Sequence, residues 1–260
     1  MKFLSGKMPG INSVILYSMG LLAALAVKYG FSRASSDDLL WLLTPTALLV
    51  ECLTGIAFVY ESPVGFINAR EGIIIATVCS GMNFMILTFC MLVFSFLHRS
   101  EQTKRKWQWF AFSIFAAYIF TLAVNGARIA VSMYLIVHDV HYGWLTAERF
   151  HRLAGIAVYF IGLLLLYLMM DRITAKQAEK AHVRPWVGKT SVAMIPLCWY
   201  LLITVGVPLL NGGLQTRGER FAEHSFTVVI FSIIILGVLY GVYTLWRRTV
   251  CGSVKAEAGL

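Results

Sequence analysis

Hydrophobic and polar positions along the 260-residue chain form long apolar blocks separated by short charged ones, with little alternation inside a block. An α-helix rises about 1.5 Å per residue, so ~20 mostly apolar residues cross a hydrocarbon core of ~30 Å. Runs of that length lie at about residues 11–30, 39–60, 79–97, 107–124, 152–170, 191–210 and 225–246, and they predict seven membrane-spanning helices. The expected fold is an all-α, polytopic transmembrane helical bundle. Its expected organisation is a first span (1–38), a membrane core (39–185), and two C-terminal spans with a basic tail (186–260). The first run follows Lys2 and Lys7 but lacks a small-residue cleavage site, so it reads as a retained span rather than a signal peptide.

Two stretches depart from simple spans. "VGFINAREGIIIATV" (64–78) reads as two short extended pieces around an Asn-Ala-Arg-Glu-Gly turn, apolar enough to lie on the membrane. It places a short extracytoplasmic extended segment before the third span. The apolar stretch 107–137 is too long for one simple span and carries "NGAR" at 125–128. That pattern predicts a helix to about Val124, a break at Asn125-Gly126, and a short interfacial segment. Arg128 then reaches roughly the outer edge of the hydrocarbon core, where its guanidinium is solvated.

Composition supports the membrane reading: 58% of residues are hydrophobic and 13% charged, where a soluble domain has ~25% charged. The net charge of +9 is gathered in "HRSEQTKRK" (98–106), "DRITAKQAEKAHVRPWVGK" (171–189) and the tail "WRRTVCGSVK". These segments lie between apolar spans rather than along one solvated face, so the positive-inside bias accounts for the charge and no nucleic-acid partner is expected. They are expected to face the cytoplasm, with 61–78, 138–151, 211–224 and the N-terminus on the opposite side. Five scattered cysteines without a CxxC pair support neither a disulfide framework nor a zinc knuckle. Cys52, Cys90 and Cys198 read as packing residues, and Arg99, Arg172 and Arg247 as snorkelling anchors.

Three chemically capable residues arrive at one membrane face from three helices: Cys79 at the start of span three, Arg128 at the outer end of span four, and His151 at the start of span five. A thiol at a helix N-terminus sits where unpaired amides and the macrodipole favour the reactive thiolate. Histidine supplies a base or an ion-pair partner and later protonates a leaving amine. Arginine stabilises the oxyanion formed when a thiolate attacks a carbonyl. The set suits acyl transfer.

Two rival readings use the same region. His138 and His141 of "HDVH", with His151, could ligate a catalytic metal. Glu51 in "LLVECLTG" is an intramembrane acid, and such residues pair with a cation, serve function, or reach the interface. Paired with Arg128 or Arg70 it balances charge; together with Arg128 and His151 it could line the polar path of a transporter or channel. The chain has no clear inverted repeat, which counts against a transporter.

"CSG" (Cys79, Ser80, Gly81), "NGARI" (Asn125, Arg128) and "HRLAG" (His151, Gly155) resemble, in order and placement, the Cys-Ser/Ala-Gly, Asn-x-x-Arg and His-x-x-x-Gly signatures of the exosortase/archaeosortase family. The resemblance covers about residues 40–170, and "PTALLVECLTGIAFVYES" through "CSGMNF" looks most like the exosortase K subgroup. It implies a multi-pass cysteine transpeptidase or protease of the bacterial inner (plasma) membrane, its site facing the periplasm or cell exterior. Implied partners are membrane-anchored proteins bearing a C-terminal sorting signal, namely a short motif such as Pro-Glu-Pro, a transmembrane helix and a basic cluster. An envelope glycan or lipid would act as acceptor, beside the surrounding membrane lipids. Carried over by position, Cys79 is the nucleophile, Arg128 the oxyanion or substrate-positioning group and His151 the general acid/base. Ser80, Gly81, Asn125 and Glu51 are the supporting candidates. No cofactor or metal is implied. Some archaeosortases have Arg where His151 stands, and residues after about 185 match no motif of the family.

Overall fold

The computed structural model describes residues 11–100, 102–138, 147–180, 193–210 and 213–257. The chain is mostly helical. In order it forms α1 (Ile11–Phe31), α2 (Leu40–Thr54), strands β1 (Val59–Glu61), β2 (Gly65–Asn68) and β3 (Ile73–Ile75), α3 (Met82–Phe96), α4 (Thr103–Val137), α5 (Ala147–Lys180), α6 (Met194–Leu201), α7 (Val207–Leu210) and α8 (Gly213–Glu257). Two compact units result, Met1–Tyr200 and Leu201–Leu260. Among the described residues five helical stretches are long and apolar enough to cross a membrane: Ile11–Phe31, Thr77–Arg99, Thr103–Val137, Arg152–Ala175 and Phe221–Val242. The expected second and sixth spans are shorter apolar helices, Leu40–Thr54 and Met194–Leu209.

The first unit is built around α3. Met82, Phe84, Leu87, Met91, Leu92, Val93 and Phe96 are all buried, as befits a helix apolar on every side and enclosed by neighbours. Helix α4 runs antiparallel to it: the Trp109 indole donates to the Leu92 carbonyl (3.0 Å) near one end, and Asn125 reaches the Cys79 carbonyl at the other. Helix α5 closes the third side, with the Phe84 and Tyr159 rings stacked 4.6 Å apart and Phe96 against Tyr167.

Three expectations are corrected and one is extended. First, span two is not 39–60. Helix α2 is 15 residues long, ~22 Å at ~1.5 Å per residue, and the apolar residues beyond Gly55 lead into strand β1, which starts at Val59. A short apolar run does not distinguish strand from helix, and "FVYE" is rich in aromatic and β-branched residues. Second, the two extended pieces expected within 64–78 are β2 and β3, and β1, from outside that stretch, joins them in a three-stranded antiparallel sheet of order β1-β2-β3. Val59 pairs with Ile67 and Asn68 with Ile73, and the expected Asn-Ala-Arg-Glu-Gly turn joins β2 to β3. There the Asn68 side chain accepts the Glu71 amide (2.8 Å) and donates to the Ala57 carbonyl (2.7 Å).

Third, α4 does not break at Asn125-Gly126 but continues for 35 residues. Glycine inside a helix costs about 1 kcal/mol relative to alanine. Here it makes room: a Cβ at Gly126 would stand 2.6 Å from Leu49 Cδ2, so the missing side chain lets α2 pack directly on α4. Trp41 stacks on Tyr118 and Leu49 meets Gly126, so α2 runs parallel to the part of α4 that leads to Arg128. Fourth, the start of α1 lies beside the basic 98–106 segment rather than opposite it. Asn12 donates to Thr103 (3.1 Å) and Lys106 to Ser13 (2.6 Å), while Lys28, near the other end of α1, reaches Asn83 at the start of α3 (2.7 Å).

The sheet is strapped to the α1–α2 connection. Ser36 donates to the Val64 carbonyl (3.0 Å) and meets the Thr77 hydroxyl (3.0 Å), and Asp37 accepts the hydroxyls of Tyr60 and Ser62. That hydrogen bond to Asp37 holds the Tyr60 phenol above its ordinary range. In the second unit, Leu202–Gly206 is a π-helical stretch leading into α7, and α8 is kinked at Gly218 (φ 38°).

Candidate active site

Cys79 ends a single 3-10 turn, Thr77–Cys79, whose amide bonds back to Ala76 (2.8 Å). Two residues later Gly81 adopts a left-handed conformation (φ 76°), and α3 begins at Met82. This kink separates the 3-10 turn from the helix, so the Cys79 carbonyl has no place in the helical ladder. A buried carbonyl without a partner is costly, and Asn125 of α4 supplies one: its Nδ2 donates to Cys79 O at 2.7 Å. Gly81 is required twice over. A side chain there would be strained by the positive φ, and its Cβ would stand 2.9 Å from Asn125 Cγ.

Asn125 is fully buried, and its other end is equally engaged. Oδ1 accepts from Arg128 Nε (3.2 Å), one helical turn along α4, and from the Tyr159 hydroxyl of α5 (2.7 Å). The Arg128 guanidinium lies 5.2 Å from the centre of the Tyr159 ring, in cation–π range. Its aliphatic stem passes Gly155, where a Cβ would be 3.8 Å from Arg128 Cδ. Cys79 and Arg128 both lie within electrostatic reach of Tyr159. One side chain, Asn125, thus links the backbone of the thiol to the guanidinium and to a third helix.

Of the expected site residues, the structure brings together Cys79, Gly81, Asn125 and Arg128. Ser80 is buried beside them and accepts the Met82 amide (3.4 Å), which helps start α3. The His151 side chain lies outside the described residues. Its backbone is in the opening turns of α5, four residues before Gly155 and eight before Tyr159, on the stripe that carries both. Arg128 is not solvated at a helix break as expected: it is part-buried within a continuous helix, in the Asn125–Tyr159 network. Glu51 is corrected as well. Its carboxylate accepts the Phe58 amide (2.6 Å), fixing the entry to β1, and it pairs with neither Arg128 nor Arg70.

Of the remaining cysteines, Cys90 is in the core, whereas Cys52 and Cys198 are exposed rather than packed. His138 is exposed, its ring tilted at 55° against that of Tyr134, and His141 lies outside the described residues. Among the described residues no group of three or more His, Cys, Asp or Glu side chains could hold a metal ion. Tyr159 escaped the reading of the sequence. Its one signal is a phenol within an apolar span, where a hydroxyl needs a partner, on the same stripe as His151 and Gly155. No family model, curated protein or solved structure matches the chain.

Proposed function

We propose that the protein is a membrane-embedded cysteine transpeptidase or protease that cleaves the C-terminal sorting signals of exported proteins, as the resemblance to exosortases implies. The observation that carries the reading is the Asn125 bridge, which holds the backbone of Cys79, in its 3-10 turn, beside an arginine with no carboxylate partner among the described residues. The Cys79 thiol passes its proton to His151 as its sulfur attacks the scissile carbonyl carbon, and the carbonyl electron pair moves onto oxygen, where Arg128 stabilises it. Collapse breaks the C–N bond. The amine departs with a proton from His151, a role that rests on the motif resemblance, and a thioester on Cys79 remains. Water or an amine-bearing envelope acceptor then attacks the thioester carbon and releases the thiol. Arg99 and Asp171 mark the opposite end of the α3–α5 bundle, next to both basic segments; the positive-inside bias turns that end to the cytoplasm and Cys79 to the exterior.

The test is direct. Protein purified from its own membranes is expected to carry a peptide on Cys79, labile to hydroxylamine and identifiable by mass spectrometry. Cys79→Ala abolishes both the adduct and the truncation of the donor protein. Truncation that persists in Cys79→Ala eliminates the mechanism.

A further inference from the structure

The three hydrogen bonds on Asn125 are not equivalent, and their chemistry assigns an order to the site. The Cys79 carbonyl can only accept and Arg128 Nε–H can only donate, so together they fix which end of the Asn125 amide faces which neighbour. A reversed amide would set oxygen against oxygen and N–H against N–H. The Tyr159 hydroxyl, able to do either, is thereby committed as a donor to Oδ1. At 2.7 Å its bond has the optimal length for O–H···O, whereas the Arg128 bond at 3.2 Å is at the long limit for N–H···O. Tyr159 is therefore the tighter of the two restraints on Oδ1. Its ring is itself fixed, stacked 4.6 Å from Phe84 at 12°, and the same ring lies beneath the guanidinium. Phe84 is buried, so this support does not depend on solvent.

We infer that Tyr159 is a positioning residue, which through Asn125 and its own ring holds the Arg128 guanidinium in register with Cys79. This role rests on the proposed thiolate chemistry of Cys79, yet its test needs no turnover and stands or falls separately. The full-length protein in detergent is alkylated at one pH with anionic iodoacetate and, separately, with neutral iodoacetamide, and the ratio of the two rates at Cys79 is read by mass spectrometry, so that the reactivity of the thiol itself cancels. A cation held at the site draws the anionic reagent, so Arg128→Gln lowers the ratio. Tyr159→Phe keeps the ring and its stacking and removes only the hydroxyl. It is expected to lower the ratio in the same direction, roughly threefold, and to add nothing in an Arg128→Gln background. An unchanged ratio in Tyr159→Phe, or an effect fully additive with Arg128→Gln, overturns the assignment. Should that variant not fold, 3-fluorotyrosine at position 159 in the otherwise wild-type chain gives the same answer by fluorine NMR. Its resonance is expected to move on Arg128→Gln, and a resonance indifferent to that change overturns the role. Loss of processing in Cys79→Ala bears on the transpeptidase reading alone, because the alkylation ratio is independent of substrate.

Discussion

The two ends of the α3–α4–α5 bundle each hold an arginine over an aromatic ring, and they treat its charge in opposite ways. At one end Arg99 donates to Asp171 Oδ1 (2.7 Å) and to the Thr174 hydroxyl (2.6 Å), with its guanidinium 4.6 Å from the Phe96 ring. Its charge is balanced by a carboxylate, and its donors are spent joining α3 to α5. That is more than the snorkelling anchor the sequence led us to expect. At the other end Arg128 gives its Nε–H to a neutral amide and sits 5.2 Å from the Tyr159 ring, with no ion pair among the described residues. A cation held in place by neutral groups keeps its field for an anion that forms later, whereas a cation facing a carboxylate does not. The same side chain is thus a clasp in one place and, in the proposed chemistry, a preorganised charge in the other.

Substitutions at the two ends sharpen this contrast. The largest effect is expected from Arg128→Gln, which keeps hydrogen-bonding capacity but removes the charge. Formation of the Cys79 thioester is expected to slow by about 10²–10³-fold, comparable with loss of an oxyanion donor, with little change in thermal stability. A variant that loses stability instead would make Arg128 a second clasp. Arg99→Gln is expected to do the reverse. Its side chain is 18% exposed and that of Asp171 25%, so leaving the carboxylate unpaired costs about 1–3 kcal/mol of stability, read by denaturant titration in micelles. Thioester formation per folded molecule stays unchanged. The smallest effect belongs to Gly81→Ala. The left-handed backbone costs about 1–2 kcal/mol, and the displaced Asn125 carries Arg128 with it, so stability and thioester formation fall together. A Gly81→Ala protein that is less stable but reacts at the wild-type rate would detach Asn125 from the chemistry.

Part of the candidate site was legible from residue type: Cys79 and Arg128 stand out as a thiol and a charge inside apolar runs, where a charge is expensive to place. Gly81 and Asn125 entered the site only through the motif resemblance. The depth and surroundings of Arg128 were not legible, because they depend on whether α4 continues past Gly126. Glycine after asparagine looks like a break in isolation, and the compensating contact comes from Leu49, far back in the chain. Glu51 was misread for a related reason. An acid within an apolar run calls for a cation on charge grounds, yet its partner is the Phe58 amide seven residues on, presented only because α2 stops early.

Hydropathy is a local property, a sum of transfer free energies over neighbouring residues, and for that reason the sequence by itself determined the mostly helical architecture and most of its long apolar helices. Strand against helix beyond Gly55, continuity against a break at Asn125-Gly126, and the partner of each buried polar group were decided by tertiary structure. The last of these turns on hydrogen bonds between residues 46 and 34 positions apart, Asn125 with Cys79 and with Tyr159. In an apolar interior each such group must find a partner, and only the packed helices determine which one lies within reach.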